Sequence, residues 1–272
     1  MSSLLSLPKY TKHIQQWAPD ICATGFEAKF AKRQSGLIVT CEHASNAVTG
    51  KSLNNDDREL LDTHWGWDRG AAIVGKQIAS DFECFSIFGK QSRLVCDLNR
   101  QHKDQNWIRR DIYGQQLSFN RDLDELEMHR RKKEIFMPYH RLLDVQCRSL
   151  MATATSPVLI SMHSMTPVFE GSRRDMDIAI LHCGFAHHAN TLDEHFRSIG
   201  LRTAINEPYS AMDAVTPLHL LSIRQDIPVL WIELNQAIVQ TSNEALEVGR
   251  QLSDVIATWM GELSRTKQVC YG

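Results

Sequence analysis

Three short apolar runs set the frame of the chain. Gly36-Leu-Ile-Val-Thr-Cys-Glu42-His43, Pro157-Val-Leu-Ile-Ser-Met-His163-Ser164 and Pro228-Val-Leu-Trp-Ile-Glu233 each start at Gly or Pro and end at His or Glu. Short apolar runs rich in β-branched residues and bounded by chain breakers predict buried strands. Residues 84–88, 93–96 and 177–182 are further strand candidates. Elsewhere apolar residues recur at three- and four-residue intervals, the period of a half-buried helix. Helices are predicted over 68–79, from 123 to about 151 with a break near Pro138, and near 187–199, 217–224 and 243–263. Asp68 stands where an N-cap or first-turn acid belongs. Strands alternating with helices predict an α/β fold on a mixed, mostly parallel central sheet. The segment 99–120 is polar and aperiodic, as expected of a functional loop or lid. The polar N-terminal segment, about 1–33, is expected to form a helical extension on the outside. No linker or repeat divides the chain, so a single domain is expected over 1–272.

Composition narrows the class. The chain has 272 residues, 43% hydrophobic and 23% charged, ordinary for a water-soluble globular protein with a large core. A formal charge of -2 leaves no electrostatic footprint for nucleic acid. The basic cluster 129–133 follows acidic residues 122–127, which reads as charge pairing on a helix. Seven scattered cysteines contain no CxxC pair, which argues against a thiolate metal knuckle and suits a reducing, cytoplasmic setting. No run is long and apolar enough for a membrane span, and the start lacks the pattern of a signal peptide.

The candidate chemistry lies where the three strands end. Ligands of open α/β sheets bind outside the carboxyl ends of the strands. A lone His at a strand end is more often structural than a ligand. His43 and His163 at two such ends, with Glu233 at a third, point to a metal site with a base beside it. A catalytic zinc needs a third protein ligand and an open position. Asp68 and Glu42 compete for that place. Neighbouring strand residues face opposite ways, so Glu42 and His43 reach one metal only across a sharp bend. Asp68 carries no such restriction and is preferred, although capping a helix is its plainer role. His64, in the same loop, is a weaker alternative. Glu233 closes an apolar strand, where a carboxylate is costly to bury without a metal, an arginine or water. Arg93, Asn99 and Arg100 cluster around Asp97, and guanidinium forks suit carboxylates. Arg174 follows the second histidine and adds a further cation.

At these residues the chain resembles the N-formylglutamate amidohydrolase family. The matching stretches are Cys41-Glu-His43-Ala-Ser-Asn46, His64-Trp-Gly-Trp-Asp68-Arg-Gly70, Ser92-Arg93 with Asp97-Leu-Asn99-Arg100, Tyr139-His140, His163-Ser164, Asn206-Glu-Pro-Tyr209 and Trp231-Ile-Glu233. They run in order from about residue 36 to 240. The resemblance implies a zinc-exopeptidase-like (phosphorylase/hydrolase-like) fold and hydrolysis of an N-acyl amino acid, with N-formyl-L-glutamate as the reference substrate. Formate and glutamate would be the products, in histidine catabolism. Similarity to carboxypeptidase- and aspartoacylase-like enzymes maps an α-carboxylate grip onto Asn99 and Arg100, and the late catalytic Glu onto Glu233. Zinc muramoyl amidases support Asp68 as an acidic ligand at a helix start. Carboxypeptidases carry Glu three residues after the first His, where this chain has Asn46.

The expectation is therefore one zinc per chain on His43, Asp68 and His163, with Glu42 as the alternative ligand. Glu233 is expected to carry protons, and Arg93 to stabilise the oxyanion or bind substrate. Asn99 and Arg100 are expected to grip the α-carboxylate, and Arg93 or Arg174 a side-chain carboxylate. The expected partner is a small carboxylate substrate. Two rivals stand: another zinc amidase, acting on a different acyl amino acid or a peptidoglycan fragment, and a metal-free carboxylate-binding protein on the same scaffold.

Overall fold

The computed structural model describes residues 20–213 and 215–271. Eight strands form the main sheet: β1 (Asp20–Cys22), β2 (Phe26–Lys29), β3 (Leu37–Cys41), β4 (Phe85–Gly89), β7 (Val158–Met165), β10 (Ile178–His182), β11 (Thr203–Ile205) and β12 (Val229–Asn235). Their order is β1-β2-β4-β3-β7-β12-β10-β11. The centre, β4-β3-β7-β12, is parallel. Antiparallel strands flank it, with β2 on β4 and β10 on β12. Every residue of β3, β7 and β12 is buried, as expected of a sheet covered on both faces. Their carboxyl ends meet at one edge.

The remaining strands are two small hairpins, β5 (Asp111–Ile112) with β6 (Gln115–Gln116) and β8 (Val168–Phe169) with β9 (Ser172–Arg173). The helices are α1 (Asn55–Leu61), α2 (Ala71–Asp81), α3 (Glu125–Arg131), α4 (Met137–Thr153), α5 (Ala186–Ser198), α6 (Pro217–Gln225) and α7 (Ser242–Tyr271). Residues alternate along β7 and β12. Val158, Ile160, Met162, Leu230 and Ile232 pack beneath α2, α5 and α7. Leu159, Met165, Val229 and Trp231 face the opposite layer, with α4, α6 and the long loop before α3. His163, Ser161 and Glu233 share the parity of this second face.

Four expectations need correction. Residues 93–96 form successive turns rather than a strand. Ser92 organises them, because its carbonyl accepts from the Val95 amide at 2.8 Å and its hydroxyl accepts from the Leu94 amide at 3.2 Å. The apolar residues there are buried without joining a ladder. The expected N-terminal helical extension lies outside the described residues up to 19, and residues 20–29 form the β1–β2 hairpin instead. Helix α2 begins at Ala71 with Gly70 at its N-cap in the left-handed region, φ 79°, so Asp68 precedes the helix and does not cap it. The break near Pro138 is a π-helical turn over Lys132–Phe136, ahead of the proline.

The segment 99–120 is packed against the core. Trp107, Ile108, Ile112, Leu117 and Phe119 are buried in it. Arg131, itself buried, donates to the carbonyls of Val95 and Phe119 and to Asn120 Oδ1. It also pairs with Glu127 at 3.1 Å, while Arg130 pairs with Glu127 and Glu134 at the surface, so the basic cluster is matched to acidic neighbours as expected and Arg131 alone is drawn inside. Among the described residues no helix is long and apolar enough to cross a membrane.

Candidate metal centre and substrate cavity

The chain bends directly after β3. Glu42 keeps the alternation of the strand and points into the α4 layer, where it accepts from Tyr139 Oη at 2.7 Å and Ser161 Oγ at 2.6 Å. The bend frees His43 to turn toward the cavity. Its carbonyl accepts the Asp68 amide at 3.0 Å, which ties the loop before α2 to the end of β3. His163 lies inside β7, two residues before the strand ends at Met165. The two imidazole centroids are 5.0 Å apart.

Each ring has a carboxylate behind it. His43 Nε2 donates to Asp97 Oδ1 at 2.8 Å, and His163 Nε2 donates to Glu42 Oε2 at 3.1 Å. That arrangement turns both Nδ1 atoms toward Asp68 Oδ2, at 3.3 Å from His43 and 2.7 Å from His163. Three lone-pair donors thus converge in a buried space, with ligand atoms all within 4.8 Å of one another. Such a set needs a cation between its members, either a proton or a metal. Two imidazoles and one carboxylate, with carboxylates orienting the rings from behind, are the donors and the outer support that suit zinc. Glu42 is not one of the three converging groups. The sequence left it as the alternative ligand; the structure puts it behind His163.

The charges respond to this crowding. Burial alone raises a carboxyl pKa, but the hydrogen bonds and charge of His163, with Ser161 and Tyr139, hold Glu42 down to about 2. Burial opposes a proton on His163, yet Asp68 and Glu42 overcome it and push that imidazole well above its usual range. Asp68 and Asp97 sit below the carboxylate range despite burial, held there chiefly by the charge of His43.

Glu233 lies on β12 in direct register with His163 on β7. Neighbouring strands are roughly 4.8 Å apart, so the two side chains stand side by side on one face. Burial pushes the Glu233 carboxyl above the ordinary range, and the Asp68 charge adds to this, while His163 and a hydrogen bond from Tyr209 work against it.

These groups open into a cavity of about 630 Å³, lined by Arg93, Asn99, Arg100 and Asp104 from the loop after β4, by Leu181 and Trp231 from the sheet, and by Tyr209, Ser210, Ala211, Asp213, Val215 and Thr216 from the loop before α6. Arg93 lies 3.6 Å from Asp68 Oδ1 and 3.3 Å from Asp97 Oδ2. Arg100 lies 3.4 Å from Asp97 and 3.2 Å from Asp104. Asn99 Oδ1 is buried without a hydrogen-bond partner. Arg174 does not line this cavity. Its guanidinium packs over the rings of Phe169, at 5.1 Å, and Tyr209, at 5.9 Å, and donates to the Thr166 carbonyl. His64 likewise stands outside it. The structure adds two groups to the expected set: Asp97 as the partner of His43, and Tyr209 as the partner of Glu233. Asp97 was visible only as a neighbour of the arginines, because its contact with His43 spans 54 residues.

The α/β sheet thus brings two histidines, an aspartate and a glutamate to the carboxyl edge of its parallel centre, and the first three are a group that could hold a metal ion. Comparison with known proteins assigns the class. A family model described as N-formylglutamate amidohydrolase matches residues 35–239. The chain belongs to the N-formylglutamate amidohydrolase family, a family of enzymes. Among solved structures it is similar to a gene product of Agrobacterium tumefaciens, with a TM-score of 0.76 and 23% identity over 88% of this chain and 96% of that one. It is also similar to an N-formylglutamate amidohydrolase from Ralstonia eutropha, with a TM-score of 0.69 and 14% identity over 89% and 99% of the two chains. At these identities the likeness carries the fold. No curated protein matches the sequence.

Proposed function

We propose that this protein hydrolyses the amide bond of an N-acyl amino acid, N-formyl-L-glutamate being the reference substrate. One zinc would be held by His43, Asp68 and His163. The observation that carries this reading is the convergence of three buried lone-pair donors next to Glu233 on the adjacent strand. Zinc, when bound, supplies a Lewis acid that polarises a carbonyl and makes a hydroxide nucleophile accessible near neutral pH.

The chain's own residues perform the remaining tasks. Glu233 takes a proton from the attacking water and returns it to the amide nitrogen as the C–N bond breaks. Its raised pKa suits that exchange, because a proton carrier works best near the operating pH. Tyr209 holds the carboxylate in place. Arg93, next to Asp68 on the cavity wall, is placed to stabilise negative charge on the carbonyl oxygen. Asn99 and Arg100 grip the α-carboxylate. Arg174 is left out of the substrate grip because it faces Phe169 and Tyr209 instead.

Metal analysis and a formate-release assay on the purified protein test this. About one zinc per chain and release of formate from N-formyl-L-glutamate are expected. His163→Ala should lose the metal and the activity together. Undiminished formate release by that variant would sink the proposal.

A further inference from the structure

The cavity is built in two chemically different halves, and the two histidines and Glu233 stand between them. Sheet order arranges this. Going from β4 across β3, β7, β12 and β10, one passes Arg100 and Asn99 in the loop after β4, His43 after β3, His163 on β7 and Glu233 on β12. Beyond Glu233 the floor of the cavity turns apolar, while Ser210, Asp213 and Thr216 add polar groups to its wall. Trp231 lies two residues back along β12 on the same face, and Leu181 on β10 is its direct cross-strand partner. Two residues of strand cover roughly 6.6 Å. Ala211 and Val215 line the cavity from the loop before α6. Among the described lining residues no cation stands at this end, because Arg174 is committed to two aromatic rings.

A substrate whose carboxylate lies against Asn99 and Arg100 places its amide between the histidines and Glu233. Its acyl group must then run past Glu233 toward Trp231 and Leu181. A formyl group is a single carbon and leaves that apolar end to water. Burial of apolar surface there favours a longer chain.

We infer that this end of the cavity is an acyl subsite, and that the enzyme acts on N-acyl amino acids whose acyl group is a short aliphatic chain longer than formyl. The inference rests on the amide-hydrolase reading above. Hydrolysis of such a substrate consumes one water and yields the free amino acid and the short fatty acid.

The test is a series of N-formyl-, N-acetyl-, N-butanoyl- and N-hexanoyl-L-glutamate given to the zinc-loaded protein, with free glutamate measured. Each methylene buried against Trp231 and Leu181 is expected to raise kcat/KM by roughly fourfold. The step from acetyl to butanoyl should therefore show a gain on the order of tenfold. Ala211→Phe, which fills the subsite, should lower the ratio of hexanoyl to formyl hydrolysis at least tenfold. Hydrolysis of the formyl compound with a fall at each added methylene would overturn the subsite and leave the amidase reading standing. An Ala211→Phe variant with the parent's chain-length profile would also overturn it. No hydrolysis of any member of the series would remove the amidase reading and the subsite with it.

Discussion

In the proposed mechanism Glu233 is the residue on which the chemistry turns. A carboxylate held above its ordinary pKa by burial must ionise before it can take a proton from water. Activity is therefore expected to fall on the acid side through a pKa higher than that of a free glutamate. The Tyr209 hydrogen bond stabilises the ionised form, so its removal raises that pKa further. A pH–rate profile of Tyr209→Phe should show the acid limb displaced to higher pH, and a displacement to lower pH would contradict the assigned contact. Glu233→Gln should keep its zinc and lose at least a hundredfold in kcat, the scale of a lost acid–base group. His43, His163 and Glu233 were legible in the sequence because each terminates or interrupts an apolar run. Asp97 was not legible as a partner of His43. Its role depends on a contact between two loops, which no local pattern records.

At the scale of elements, the site depends on the bend after β3. Glu42 stays in the strand's alternation while His43 leaves it, so in the proposed site adjacent residues would serve as support and ligand. Three donors, Tyr139, Ser161 and His163, meet the buried Glu42 carboxylate. Glu42→Ala should weaken metal affinity by about 10–100-fold, the usual effect of losing a group that orients a ligand from behind. Equilibrium dialysis against zinc would measure it, and unchanged affinity would show that His163 needs no such support. Gly89, at the end of β4, lies so close that a Cβ there would overlap the carbonyl oxygen of Glu42. Gly89→Ala should therefore displace the bend and reduce metal affinity although residue 89 touches no ligand atom. The strands and most helices were readable from periodicity. The turns at 93–96 were not, because an apolar stretch packed by side-chain capping has the same composition as a strand. The β1–β2 hairpin was missed for the converse reason: Asp20–Cys22 and Phe26–Lys29 are too short and too mixed to show a period of two.

For the whole molecule, the proposed metal would compete with a proton at one place. In the metal-free protein the Glu42 contribution to stability is present above the unfolded pKa of 4.5 and is lost as pH falls toward about 2. The His163 contribution has the opposite sign. It is complete below the unfolded pKa of 6.5 and is lost as pH rises through the elevated folded value. Thermal melts of the stripped protein should accordingly show the greatest stability between these two unfolded values. Zinc must displace the proton from His163, so its affinity should rise with pH across the neutral range. The parallel centre of the sheet explains why residues from 43 to 233 meet at all: β3, β7 and β12 run the same way and deliver their ends to one edge. That much followed from the alternation of strands and helices along the chain. Strand order did not, and with it the separation of the arginine-lined end of the cavity from the end floored by Trp231 and Leu181.

The rate of formate release from N-formyl-L-glutamate, followed as the chelator-stripped protein is titrated with zinc, bears most directly on the metal-assisted mechanism. Activity should be absent at the start and rise linearly to a plateau near one zinc per chain. Full activity of the stripped protein, or a plateau unaffected by removal of the His163 imidazole, would contradict it.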